Sequence, residues 1–113
     1  MAEGSLVSMG RANYTNPTVT VDSTLADAEE IDVRNYAGGS VHVPHGSSLT
    51  TLTFYSLHAA GGTMVAAYDN ANVAVTLTVS ADRVVQLPDA IFGFPFIKMV
   101  GNADGEVSLF LKG

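Results

Sequence analysis

From Thr18 onward, apolar and polar residues alternate with a period of two, the spacing that puts successive side chains on opposite faces of a β-strand. In TVTVD, Val19 and Val21 face one way and Thr18, Thr20 and Asp22 the other. In EEIDVR the inward pair is Ile31 and Val33, with Glu30, Asp32 and Arg34 outward. In SVHVP it is Val41 and Val43, and Pro44 ends the ladder because it has no N–H to donate. LTTLTFYS places Leu52 and Phe54 on one face, and TMVAAYD follows the turn Gly61-Gly62. VAVTLTVS sets Val73, Val75, Leu77 and Val79 opposite Ala74, Thr76, Thr78 and Ser80. RVVQL, FIKMV and EVSLFLK complete the set.

Breakers separate these segments at Gly38-Gly39, Gly46, Gly61-Gly62, Asp69-Asn70, Pro88-Asp89 and Asp104-Gly105. The pattern predicts about eight short strands, one every ten residues or so, hence an all-β antiparallel sandwich (jelly-roll or Ig-like), with a barrel as the second choice. STLADAEE has a candidate N-cap and helix formers but is short enough to be a turn, and PDAIFG could hold one turn of helix. No internal repeat of fixed period is visible.

Residues 1 to 17 show neither a helical nor a strand period, with Leu6, Val7, Met9 and Tyr14 scattered among Gly, Ser and Asn. They are predicted to form an extended N-terminal arm, and residues 18 to 113 one sandwich domain. The arm's apolar residues fit a surface to lie against, and a partner's surface is favoured over self-docking. Two later stretches break the alternation. In EVSLFLK, Phe110 falls opposite Val107, Leu109 and Leu111, and FGFPFIKMV crowds Phe92, Phe94 and Phe96 around Pro95. Aromatics left outside one core need a folded-back loop or a partner as cover.

Apolar residues make up 47% of the 113-residue chain and charged ones only 14%, a low charge content that favours protein-facing surfaces over purely solvated ones. The Thr and Ser of Val41 to Leu57 fit such a neutral surface, because hydroxyls bond across an interface at less desolvation cost than charges. Net charge is −6, and the five basic residues Arg11, Arg34, Arg83, Lys98 and Lys112 are scattered, which argues against nucleic-acid binding. There is no cysteine, so disulfides and thiolate metal sites are excluded. The N-terminus lacks the basic and apolar regions of a secretory signal, and no apolar run approaches the length of a spanning helix. A soluble chain made in the cytoplasm, with no membrane partner, is expected.

Reactive constellations are thin. His42 and His45 flank Pro44 on a strand, where the rings need not converge, and His58 stands apart, so no metal is expected. The acids Asp22, Asp27, Glu29, Glu30 and Asp32 lack Gly and calcium-loop spacing. Asp69-Asn70-Ala71-Asn72 and Asn102-Ala103-Asp104-Gly105 read as hairpin turns. No Gly-x-Ser-x-Gly elbow or phosphate loop is present. Neither an enzyme nor a cofactor is expected. A carbohydrate-binding module would need aromatic platforms; there is no Trp, and Tyr14, Tyr36, Tyr55 and Tyr68 are the candidates.

From Ile31 on, the order of elements resembles small β-sandwich virion proteins of tailed bacteriophages and prophages. The residues that carry it are IDVRNYAGGSVHVP, a strand and turn leading to a strand closed by Pro44, and SLTTLTFYSLHAAGGTM, a Thr-rich strand with its Gly turn. YDNANVAVTLTVSADRVVQLPDAIFGFPFIKMV then supplies two strands, a Leu-Pro loop and a further strand. The long arm and the short end at Leu111-Lys112-Gly113 depart from that pattern, and it brings no site residues. The resemblance implies a structural role on the capsid surface of a virion, as a decoration or cement protein made in the host cytoplasm. Its partners would be the major capsid protein or other virion proteins, and copies of itself in a dimer or trimer. Partner contacts are expected from Leu6, Val7, Met9 and Tyr14, then Phe92, Phe94 and Phe110. The alternative is a tail, baseplate or fibre-associated sandwich with a receptor- or glycan-binding role.

Overall fold

A computed structural model describes residues 14–57 and 63–113. Alternation becomes strand wherever the apolar side is covered: β1 (Tyr14–Thr15), β2 (Thr18–Val21), β3 (Ile31–Asp32), β4 (Gly38–Val43), β5 (Thr51–Leu57), β6 (Val65–Ala66), β7 (Thr76–Thr78), β8 (Arg83–Gln86), β9 (Phe96–Gly101) and β10 (Gly105–Lys112). Two 3₁₀ turns, Leu25–Asp27 and Asp89–Gly93, occupy the two short segments that carry helix signals.

The strands form two antiparallel five-stranded sheets. In the first, β1 and β2 lie along one edge of β10, followed by β4 and β8; in the second, β3 is followed by β9, β5 and then β6 and β7 along one edge of β5. Ten strands thus fill the expected eight or so ladder positions, because two positions are interrupted. Inward side chains of both sheets interdigitate in one core, with Val21, Val41, Val43, Leu52, Phe54, Ile97, Met99, Leu109 and Leu111 all 1% exposed or less. The all-β antiparallel sandwich is the fold.

The break between β1 and β2 has a chemical cause. Tyr14 pairs with Lys112 and Thr18 with Ser108, so the register continues unbroken through residues 16 and 17. The Pro17 carbonyl accepts from the Leu109 N–H at 2.8 Å, but Pro17 has no N–H to return. The Asn16 side-chain amide does so instead, donating to the Leu109 carbonyl at 2.8 Å. Tyr14 to Pro17, read from sequence as the end of the arm, therefore belong to the sheet. Residues 1–13 of the expected arm lie outside the described residues.

The second interruption is a hairpin inserted between β6 and β7. Tyr68 bridges Ala74, the Asp69 N–H donates to the Val73 carbonyl at 2.9 Å, and the Asp69 carboxylate accepts from Ala71 and Val73. Asn72 takes a positive φ of 63° there, a conformation Asn tolerates. Val73, expected inward, sits at this tip and is 58% exposed, since the strand begins only at Thr76. The β9–β10 turn is tied down in a similar way. The Asn102 side chain accepts from Thr50 and Thr51 and donates to Ser48, and Asp104 accepts from the Ser23 N–H and hydroxyl, both at 2.9 Å.

Candidate interaction surface

The outer face of the first sheet is built by the residues left over once alternate ones enter the core. Cross-strand registers order it in rows: Tyr14, Lys112 and Gly38; Asn16, Phe110, Ser40 and Gln86; Thr18, Ser108, His42 and Val84; and Thr20 beside Glu106. Three large apolar side chains stand out on it. Tyr14 is 60% exposed, Val84 66% and Phe110 39%. The Tyr14 and Phe110 rings contact each other with centroids 5.9 Å apart and planes tilted by 31°, a geometry aromatic pairs favour. Around them the face is hydroxyl, amide and imidazole, with Glu106 at one end and Lys112 at the other.

Two shallow depressions indent this face. One, of about 230 Å³, is lined by Thr18, His42, Pro44, Glu106, Val107 and Ser108. The other, of about 390 Å³, lies around Gly38, Ser40, Gln86, Asp89, Phe110 and Lys112. Gly39 is required at its floor: a Cβ there would stand 2.1 Å from the Phe110 carbonyl oxygen, so only glycine lets β4 approach β10 this closely.

A third concavity, about 530 Å³, opens at one end of the sandwich between the inserted hairpin and the second 3₁₀ turn. Tyr68, 52% exposed, and Phe94 form aromatic walls, and Asp69, Asn70 and Asp89 line the same cleft. Phe92 and Phe94 are half-buried and pack against the core around the fully buried Ile91. The second 3₁₀ turn thus carries Phe92 and Phe94 against the core, while Phe110 stays exposed. Of the seven residues expected at a partner surface, the sheet brings Tyr14 and Phe110 together, Phe92 and Phe94 sit at the sandwich end, and Leu6, Val7 and Met9 lie outside the described residues. Tyr68, a candidate sugar platform by sequence, walls the third concavity, whereas Val84 was not singled out. The doublet Val84-Val85 was a signal, since only one of two adjacent strand residues can face the core.

The other candidates disperse. His42 lies on the outer face, His45 Nδ1 is 2.8 Å from an Asp82 carboxylate oxygen in an exposed turn, and His58 lies outside the described residues. Among the described residues, no three His, Asp or Glu side chains converge as metal ligands would. Three acids of the acidic stretch make local bonds: Asp22 accepts from Thr24, Glu29 from Thr20, and Asp32 pairs with Arg34 at 2.8 Å. Hydrogen bonds from the Arg34 side chain and backbone hold the Asp32 carboxyl below its ordinary value, and the Arg34 guanidinium also lies 4.9 Å from the centre of the Phe96 ring. The Thr and Ser of Val41 to Leu57 do not make one face. Ser47 and Ser48 lie in the turn that follows β4, Ser56 is buried, and Thr51 and Thr53 pair with Thr78 and Thr76 on the outside of the second sheet. No described helix is long and apolar enough to cross a membrane.

No protein-family model matches the chain, and no curated protein matches it. Among solved structures, that of the SPBc2 prophage-derived protein YomS is similar, with a TM-score of 0.51 over 96% of this chain and 99% of that one, at 13% sequence identity. At that identity the likeness is one of fold: this chain shares its two-sheet sandwich with a prophage-derived protein.

Proposed function

We propose that this chain is a non-enzymatic structural protein of a phage particle, made in the host cytoplasm and assembled onto the capsid, where it decorates or cements major capsid protein subunits. The carrying observation is the exposed Tyr14–Phe110 pair at the point where residues 1–13 join the sandwich. It marks a neutral, partly apolar surface of the kind that sits in protein interfaces, and it roots a segment bearing Leu6, Val7 and Met9 beside it. The fold shared with a prophage-derived protein supports the setting. In this reading the segment before Tyr14 reaches across capsid subunits, each contact is weak, and many copies on one shell add up through multivalency.

The test is a deletion that stops at residue 13, because Tyr14 to Pro17 are part of the sheet. The truncated protein should unfold at the same temperature as the full chain and fail to co-sediment with capsids. Full occupancy of capsids by the truncated protein overturns the reading. The cleft walled by Tyr68 and Phe94 favours a second reading, a tail, baseplate or fibre-associated protein that binds a glycan. Binding on a glycan array that is lost in Tyr68→Ala, without any capsid association, would select it.

A further inference from the structure

The outer face of the first sheet is complementary to itself, and we propose that its occupant is a second copy of this chain, docked about a two-fold axis that crosses β10 at Leu109. The inference deepens the reading of this face as an interaction surface and rests on it. A two-fold axis lying between two sheet faces and perpendicular to their strands places residue 109 + k of one β10 opposite residue 109 − k of the other. Phe110 then faces Ser108 of the second copy, and Lys112 faces its Glu106. The neighbouring strands obey the same operation, since the face is ordered in rows across β1/β2, β10, β4 and β8. Asn16 meets Thr18, Ser40 meets His42, Gln86 meets Val84, and Tyr14 meets Thr20.

Three independent properties of the face agree with this arrangement. The first is shape: the operation lays the Phe110 ring over the 230 Å³ depression between Thr18, His42 and Ser108, and the second copy's ring does the same in return. The second is charge. β10 carries one acid and one base on its outer side, Glu106 and Lys112, at equal distances from Leu109. On a chain of net charge −6, that balance relieves the repulsion that would otherwise oppose self-association. The third is polarity. Outside those two residues the rows themselves hold aromatic, aliphatic, hydroxyl, amide and imidazole groups, and the carboxylate of Asp89 borders them in the same depression as Lys112. Four strands and four rows span roughly 19 by 20 Å, so the pair buries roughly 760 Å² in total, below the size of a stable interface and in the range of a weak, transient one. The dimer is accordingly a weak and reversible one. Its two Tyr14 residues lie at opposite ends of the interface.

The experiment is sedimentation velocity of the full chain over a wide concentration range, with the charge pair reversed singly and together. The wild type should show a monomer–dimer equilibrium. Glu106→Lys alone and Lys112→Glu alone each turn two attractive contacts into repulsive ones and should weaken the dimer by about tenfold or more. The double variant, which keeps the wild-type net charge, should restore it to within about threefold of the wild type. Circular dichroism spectra that match the wild type establish that the single variants are folded. A wild type that stays monomeric throughout, or a double variant as weak as either single one, overturns the proposal. Capsid co-sedimentation of the monomeric single variants separates this from the functional reading, which fails only if deletion of residues 1–13 leaves capsid binding intact.

Discussion

Replacing Gly39 by alanine tests whether the β4–β10 approach is as close as described, and Gly38 beside it is the built-in control. A Cβ at Gly39 would lie 2.1 Å from the Phe110 carbonyl oxygen and 3.0 Å from Leu111 Cδ2. Carbon and carbonyl oxygen rest at about 3.3 Å even in the close contacts of β-sheets, so the strands must part by about 1 Å. The obstructing oxygen is backbone, and β10 is hydrogen-bonded on both sides, so it has nowhere to move. Parting the strands strains or breaks one or two ladder bonds at about 1 kcal/mol each and adds overpacking strain of about 1–3 kcal/mol. The expected loss is about 2–5 kcal/mol, a large share of the ~5–15 kcal/mol that holds such a domain together. At about 4 °C per kcal/mol for a chain this long, Gly39→Ala should lower Tm by roughly 8–20 °C. At Gly38 nothing lies within 4 Å of the added methyl, and the stiffer unfolded chain should leave Tm unchanged or slightly raised. Thermal unfolding followed by circular dichroism, with urea midpoints as a cross-check, decides it. A Gly39→Ala protein that melts within about 2 °C of the wild type, or a Gly38→Ala protein equally damaged, would refute the packing argument.

Two further substitutions probe the fold's polar fastenings. Asn16→Ala should cost about 1 kcal/mol by leaving the Leu109 carbonyl without its donor, and the same change should cost far less in a Pro17→Ala background, where residue 17 regains an N–H; a double-mutant cycle in urea measures the difference. Hydrogen bonds from the Ser23 N–H and hydroxyl hold the Asp104 carboxyl below its ordinary value of 3.8 in the folded state. The stabilisation they give is therefore complete above that ordinary value and is lost as the pH falls through the depressed one. Asp104→Asn should flatten the decline of the urea midpoint below about pH 4, and an unchanged acid limb would show that the clamp contributes nothing.

Where strands lie was legible wherever one face is buried by a neighbour, because burial enforces the period. Val19 and Val21, Val41 and Val43, and Val107, Leu109 and Leu111 all point inward as read. The misses share one cause, long-range pairing that a local pattern cannot carry. Val73 alternates correctly but lies beyond the end of its strand. Tyr14 and Asn16 look like arm until their partners, far along the chain, are known. The interaction face follows the same rule. Tyr14 and Phe110 could each be singled out as apolar residues without a place in the core, but their contact, and the rows that order the face, depend on register.

That dependence on distant partners also governs the order in which the chain can assemble. The Asn16–Leu109 bond spans 93 residues, and β9 and β10, the last strands in sequence, are flanked on both sides by strands made earlier. Neither sheet can close while its interior strand is still missing. During synthesis β2 and β3 therefore wait unpaired, while β4, already joined to β8, and β5, already joined to β6 and β7, each keep one open edge, a template for the wrong neighbour until the closing strands arrive. Where many copies are made at once, that interval is when one nascent chain is most exposed to pairing with the next.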